Sequence, residues 1–375
     1  MRVLFNLLSL GSQPGGSGRY VQEIVSRMPE LGVEPILVGA RDRPRFFDDP
    51  EWMPGVPRIV RDVGNDGAPY LHLAAQALLL DGLAQRHGCE LVHGPVYFGP
   101  AFGRVPTVIT VLDLMWWEHP SLTGFDGLGR HGWNLLTRLA VRHARRVLTI
   151  SEAAKRDIVR LMGVDQQKID VTLLGGSGST DVTPKPADRL RAELGLEDRR
   201  VLLCVAQKRP HKNHETVLRA LAGLPEDVVL VAPGADDGYG QELVRLAGEL
   251  GVADRVRMLE WVDDETLEGL YGVAEVVVQM SLMEGFGLPA LEAMQRGVPV
   301  VVSDTPALAE VVGDHGLVVP ARDDAALTRT VGQVLGDPEL ADRLRESGRV
   351  RAGELTWDRT AVETVRTFEA ARRPA

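Results

Sequence analysis

The sequence predicts an α/β protein made of two doubly wound domains, each a parallel sheet covered by helices. Short apolar runs of strand length alternate with amphipathic stretches of helical period along the whole chain, the pattern that parallel sheets require. The 375 residues, 44% of them hydrophobic, suffice for two ordinary cores. Near the middle the alternation is broken by Leu174-Gly-Gly-Ser-Gly-Ser-Thr-Asp-Val-Thr-Pro-Lys-Pro186, whose Gly, Ser and Pro content marks a linker. The expected division is a first domain at 1–175, a linker at 176–186 and a second domain at 187–356. Strand candidates are 2–8, 34–39, 91–93, 107–111, 147–150 and 170–174 in the first half, and 200–206, 228–232, 256–259, 275–279, 298–303 and 316–319 in the second.

Composition narrows the function. A net charge of −10 argues against nucleic acid as the main partner, because phosphate backbones call for an excess of Lys and Arg on one face. Cys89 and Cys204, more than a hundred residues apart, make neither a disulfide framework nor a thiol metal site, as fits a reducing cytoplasm. Lysine stands only at 155, 168, 185, 208 and 212 against many arginines, the bias of a GC-rich bacterial gene. The opening apolar run is interrupted by Asn6 and Ser9 and followed by Gly-Ser-Gln-Pro-Gly-Gly, so it reads as a buried first strand rather than an export signal. No run has the length of a membrane span.

In the first half, Gly11-Ser-Gln-Pro-Gly15-Gly16-Ser-Gly18-Arg19-Tyr20 follows the first strand and opens a helix. Such a loop suits main-chain contact with phosphate, or is a plain strand-to-helix turn; its spacing is not that of a nicotinamide site. Thr107-Val-Ile-Thr-Val-Leu112-Asp113 ends a strand in a carboxylate, a turn residue or a catalytic one. The basic amphipathic stretch from Arg130 to Arg146 reads as a packing helix with a charged outer face; contact with an acidic lipid surface or an anionic acceptor is the other reading. Ser151 before Glu152 reads as a helix cap.

In the second half, Val205-Ala-Gln207-Lys208-Arg209-Pro-His211-Lys212-Asn213 places a cluster of cations between a strand and a helix, where it would neutralise a departing diphosphate or simply be solvated. The most informative stretch is Ser281-Leu-Met-Glu284-Gly285-Phe286-Gly287-Leu288-Pro289-Ala-Leu-Glu292-Ala293-Met294. Two carboxylates flank a glycine turn that runs into a helix. The glycines allow close main-chain approach to a ligand, and Pro289 suits the start of a helix. The helix N-terminus favours a phosphate. Each of Glu284 and Glu292 can accept two hydroxyls, so one could hold a sugar and the other a ribose. The helix stops at Gly297 and leads into the β-branched run Val298-Pro-Val-Val-Val-Ser303.

Residues 281–304 together closely resemble the donor-binding motif of the retaining GT-B glycosyltransferases of family 4, and the resemblance extends over nearly the whole chain, strongest from about 200 to 358. It implies the GT-B fold, two Rossmann-like doubly wound domains facing a central cleft, with a last helix at 357–375 crossing back to the first domain. It implies a nucleoside diphosphate sugar as donor and a small-molecule or glycan acceptor. Glu292 would meet the ribose hydroxyls and Glu284 the sugar. Gly285, Phe286, Gly287 and Leu288 would lie near the sugar and phosphates, as would Gly16 across the cleft. The segment around Trp261 and Val262 would border the base. Lys212 and Arg209 would hold the diphosphate, with Lys208 the alternative to Arg209, since Gln207 stands where an arginine is frequent in the family. Gly15, His93, Leu112 and Asp113 would lie on the acceptor side, with Asp113 catalytic.

The family's usual His-Asp is here Leu112-Asp113, and a leucine cannot hydrogen-bond a 6-hydroxyl, which points to a 6-deoxyhexose or pentose donor. The implied mechanism is a front-face displacement in which the leaving phosphate oxygen takes the acceptor proton. No cofactor or metal is expected: the histidines lack H-x-x-x-H or H-E-x-x-H spacing and no D-x-D occurs. The alternatives are a GT-B phosphorylase, a sugar-nucleotide epimerase, or a non-catalytic subunit that keeps the fold.

Overall fold

The computed structural model describes residues 1–11, 15–61, 69–119, 128–176 and 182–373. The chain divides into two compact units, one formed by Met1–Leu174 with Trp357–Ala375 and the other by Gly175–Thr356.

The first unit holds a seven-stranded sheet ordered β3-β2-β1-β4-β5-β6-β7, with every pairing parallel. Its strands are β1 Arg2–Asn6, β2 Glu34–Gly39, β3 Arg58–Val60, β4 Leu91–Gly94, β5 Thr107–Val111, β6 Arg146–Thr149 and β7 Ile169–Val171. The central strands are buried on both faces, as near-continuous Val, Ile and Leu runs demand. One face packs Leu4, Ile36, Val38 and Val92 against Leu80 and Ala84, and another cluster joins Ile109, Val111 and Val147 to Val141 and Ile158. The helix Glu152–Met162 starts at Ser151, whose Oγ accepts the Ala154 N–H at 3.0 Å, and ends at Gly163 in the left-handed region. The expected cap is therefore present.

The helix Trp357–Arg372 belongs to this first unit. It lies against the helix Gly15–Arg27 and against β5 and β6, with Phe368 edge-on to Phe5 and His93. Thr360 donates to the Leu173 carbonyl at 2.7 Å and Thr367 to Asp170 at 3.0 Å.

The second unit holds a six-stranded parallel sheet ordered β10-β9-β8-β11-β12-β13. Its strands are β8 Arg200–Leu203, β9 Val228–Pro233, β10 Val256–Leu259, β11 Ala274–Gln279, β12 Val300–Ser303 and β13 Leu317–Val319. This is the 3-2-1-4-5-6 order of a doubly wound sheet, and the order reverses between β8 and β11. Leu202, Val217, Leu221, Leu230, Val278 and Val301 anchor one core.

The strand candidates match the sheets except at one place. β3 was not among them: it is three residues long, lies at the sheet edge and is half-exposed, so it carries no apolar run to detect. Part of the expected linker, 177–181, and most of the segment 120–130 fall outside the described residues or side chains. Among the described residues no helix is long and apolar enough to cross a membrane.

Candidate functional site

The strand-order reversal in the second unit sets the loop after β8 beside the loop after β11; Arg209, Lys212, Glu284, Gly285, Phe286 and Gly287 lie on these two loops, and Leu288 and Glu292 on the helix that follows. The loops are tied directly, the Leu282 N–H donating to the His211 carbonyl at 2.8 Å. Asn213, in the left-handed region at φ 57°, extends the tie: its Nδ2 donates to the Met280 carbonyl at 2.9 Å and to the Ala321 carbonyl at 2.6 Å. Its own oxygen accepts from Thr216 at 2.9 Å. Lys212 is thereby fixed next to the second loop.

Lys212 Nζ donates to Glu284 Oε2 at 2.7 Å, and both side chains are largely buried. Burial pushes the Glu284 carboxyl up, but the charge and hydrogen bond of Lys212, helped by Ser281 and His211, outweigh it and hold the carboxyl below its usual range. Gln279 at the end of β11 joins the pair to the helix beyond: its Nε2 donates to Glu284 at 3.3 Å and its Oε1 accepts the Ala290 N–H at 3.2 Å. An ammonium has three protons, so Lys212 can keep Glu284 and still donate to an arriving oxyanion.

Gly287 closes the loop at φ 117°, where a Cβ would stand 2.4 Å from Leu308. Only glycine fits there. The helix begins at Leu288 and runs to Gln295. Pro289 has no N–H and that of Ala290 is engaged by Gln279. Phe286 packs inward at 3% exposure. Glu292, 8% exposed, sits one turn into the helix and accepts a hydrogen bond from Tyr271 at 3.0 Å.

The three neighbouring cations are used differently. Lys208 is buried, and its ammonium donates to the carbonyls of Gly234 and Leu259, bracing the ends of β9 and β10. Burial lowers its pKa, an effect opposed by Asp236. Arg209 forks onto Asp237, with Nε to Oδ2 at 2.8 Å, on the exposed surface. Of the three, Lys212 alone pairs with the glycine loop among the described residues. Beyond Lys208 lies a cavity of about 300 Å³ bordered by Asp236, Val244, Met258 and Glu260. Trp261 follows at 75% exposure, an aromatic face turned to solvent, with Val262 half-buried.

The first-unit candidates are not gathered in this way. His93 is fully buried in the core: its ring stands edge-on to Phe5 and Phe368, Nε2 lies 2.9 Å from Thr110 Oγ1, and burial lowers its pKa to about 3. β4 pairs it with Phe5 of β1 in the middle of the sheet. Leu112 is 7% exposed. Asp113 caps a turn, its Oδ1 accepting the Met115 N–H at 3.2 Å and its Oδ2 the Tyr97 hydroxyl at 3.2 Å. Gly15 and Gly16 are exposed at the start of their helix, with Gly15 at φ 56°; the loop residues 12–14 fall outside the described set. Among the described residues no group of three or more His, Cys, Asp or Glu side chains is arranged to hold a metal.

Sequence reasoning missed Gln279, Asn213 and Tyr271. The first two are polar residues next to motif positions and were within reach of detection. Tyr271 reads from sequence as an ordinary core residue of an amphipathic helix.

Comparison with known proteins agrees with this geometry. A model of the glycosyltransferases family 4 matches residues 14–175, and a model of the glycosyl transferases group 1 matches 186–351. The chain is 26% identical to the O-antigen chain mannosyltransferase B of Escherichia coli over 392 aligned positions, covering 98% of this chain and 100% of that one. It is 29% identical to a D-inositol 3-phosphate glycosyltransferase of Salinispora arenicola, covering 95% and 87%. Its fold matches that of Anabaena Alr3699/HepE in complex with UDP and glucose at a TM-score of 0.79 and 21% identity, over 99% of this chain and all of that one. With one family model over each half and the Escherichia coli relative matched along its full length, the chain belongs to the group 1, family 4 glycosyltransferases of GT-B fold.

Proposed function

We propose that the protein transfers a sugar, with retention at the anomeric carbon, from a nucleoside diphosphate sugar to an acceptor hydroxyl. The observation that carries this is the Lys212–Glu284 pair set at the strand-order reversal beside a glycine-closed helix start. Lys212 neutralises the leaving diphosphate, Glu284 takes sugar hydroxyls, and the Gly285–Leu288 main chain meets sugar and phosphate. Glu292 takes the ribose. Trp261 and Val262 border the base, and the cavity beside Glu260 is roomy enough to take part. Arg209 joins the diphosphate if it leaves Asp237, whereas the carbonyls that hold Lys208 speak against it. Gly16 serves the donor, and Gly15, Leu112 and Asp113 the acceptor side.

The chemistry rests on stabilising the charge that develops on the leaving oxygen. No protein nucleophile is assigned, and the departing phosphate takes the acceptor proton. No cofactor or metal enters this reading, and it is placed in the cytoplasm.

For the donor we infer a 6-deoxyhexose or pentose, because family resemblance sets position 112 near the sixth carbon and a buried leucine offers no partner to a hydroxyl there. A hexose is the second reading, favoured by two similar proteins named as mannosyltransferases. The test is direct. Thermal shift against UDP, GDP, TDP and ADP identifies the nucleotide, and transfer is then compared between a hexose donor and its 6-deoxy counterpart, with the anomeric configuration of the product read by NMR. Preference for the 6-deoxy sugar and retained configuration are expected. Preference for the 6-hydroxyl sugar overturns the donor assignment, and inversion overturns the mechanism.

A further inference from the structure

Glu292 is held by a four-residue clamp between two helices, and the clamp has a chemical direction. Tyr271, 1% exposed near the end of the helix Asp264–Val273, places its hydroxyl 3.0 Å from Glu292 Oε2 and 3.4 Å from the Pro289 carbonyl. A phenol has one proton, and the shorter, charged acceptor takes it. Arg296 lies over the tyrosine ring at 4.6 Å from its centroid. The same guanidinium forks onto Glu268, with Nε to Oε2 at 2.7 Å, and donates to the Glu292 carbonyl at 2.8 Å. Glu268 and Tyr271 share one helix, one turn apart, while Glu292 lies within the helix Leu288–Gln295 and Arg296 caps its end.

Packing alone does not call for the hydroxyl, since phenylalanine would fill the same space. What the hydroxyl adds is orientation. Burial, together with the Glu292 charge, pushes the Tyr271 phenol well above its ordinary range, so it remains a donor at any working pH. The Arg296 cation on the ring face opposes that rise without overcoming it. A carboxylate tied through one oxygen to a buried, rotamer-locked donor presents a fixed edge, and a fixed edge is what recognition of a vicinal diol requires.

We propose that Tyr271 is the positioning residue for Glu292, holding its carboxylate in the orientation that accepts the ribose hydroxyls, and that it thereby sets the preference for ribonucleotide over dideoxyribonucleotide. This rests on the assignment of Glu292 to the ribose. The test uses the full-length protein and measures affinity by calorimetry for UDP, GDP and the 2′,3′-dideoxy counterpart of each, in the wild type, in Tyr271→Phe and in Glu292→Gln.

The wild type is expected to prefer the ribonucleotide. Tyr271→Phe is expected to weaken ribonucleotide binding about tenfold, the effect of one hydrogen bond to a charged group, and to leave dideoxynucleotide binding unchanged. Equal weakening of both ligands makes Tyr271 merely structural and overturns the proposal. A wild-type preference that survives in Tyr271→Phe but is lost in Glu292→Gln overturns the proposal and leaves the ribose assignment standing. A wild type that binds UDP or GDP without discriminating removes the assignment and the proposal together; one that binds neither is titrated with ADP and its 2′,3′-dideoxy counterpart on the same terms. Should Tyr271→Phe not fold, Arg296→Lys carries the test, because it loosens the ring contact while keeping the charge; a smaller loss confined to the ribonucleotide is expected, and an equal loss for both ligands counts against the proposal.

Discussion

The ligand-facing loops of the two units are built on opposite principles. In the second unit Lys212, Glu284, Gln279, Asn213 and Ala290 are cross-linked by hydrogen bonds between two loops, and Glu292 is fixed from behind by Tyr271. In the first unit Asp113 is engaged with its own turn and with Tyr97, His93 is in the core, and Gly15 and Gly16 are exposed at a helix start. Groups that must stabilise the same developing charge in every turnover gain from being held before the substrate arrives. Loops outside such a network can differ in sequence without disturbing it.

This contrast is confined to the ligand loops, so it should vanish when overall stability is tested in acid. Each unit hides a neutral histidine, His93 in the first and His214 in the second, both brought down to about 3 chiefly by burial. These values lie below the ~6.5 of a free imidazole. The stability they permit is complete above pH ~6.5 and is lost as pH falls toward 3, at about 1.4 kcal/mol per histidine per pH unit. Denaturant titrations at pH 7 and pH 5 should therefore show a large loss in both units, and His214→Leu should remove the second unit's share. Neither ring nitrogen of His214 has a hydrogen-bond partner among the described residues, so this substitution leaves no partner stranded. Stability unchanged between the two pH values would contradict the burial of both rings.

A sharper test of the preorganised half is Lys212→Ala. Turnover should fall at least tenfold, because a charge-assisted hydrogen bond is worth more than the ~1.4 kcal/mol that a factor of ten requires. Without its cation the buried Glu284 carboxyl rises, so the acid limb of the pH–rate profile should move to higher pH. Glu284→Gln should not show that shift. Unaltered turnover at saturating donor would mean that the pair in the second unit does not carry the chemistry.

The smallest effect is expected four residues earlier. Lys208→Met removes the donor that braces two carbonyls and should cost about 2 kcal/mol of stability, read by denaturant midpoint, with little change in nucleoside diphosphate affinity. A loss of affinity greater than the loss of stability would return Lys208 to the diphosphate and blur the distinction between the two lysines.

The sheets and the glycine loop were legible because buried parallel strands are long runs of Val, Ile and Leu, and because a turn closed by Gly287 and followed by Pro289 has few other uses. The division of labour among Lys208, Arg209 and Lys212 was not legible. Three cations within five residues look alike in a sequence, and which of them meets a carbonyl, an aspartate or a glutamate depends on segments 26, 28 and 72 residues away. The burial of His93 was hidden for a related reason: a histidine near the end of a strand gives no sign of its surroundings until the register with Phe5 is known. Tyr271 stayed hidden because its one distinguishing atom, the hydroxyl, finds its partner 21 residues later on another helix.

The helix Trp357–Arg372 completes the first unit although the whole second unit precedes it in the chain. On the ribosome the order of assembly is therefore reversed with respect to numbering. The second unit is one uninterrupted stretch and can fold while synthesis continues, whereas the first waits, with Phe5 and Leu173 already made, for Thr360 and Phe368 to emerge after it. A nascent chain halted short of residue 357 would carry a finished nucleotide-type domain and an unfinished partner, so premature termination should expose the first unit, and not the second, to proteolysis.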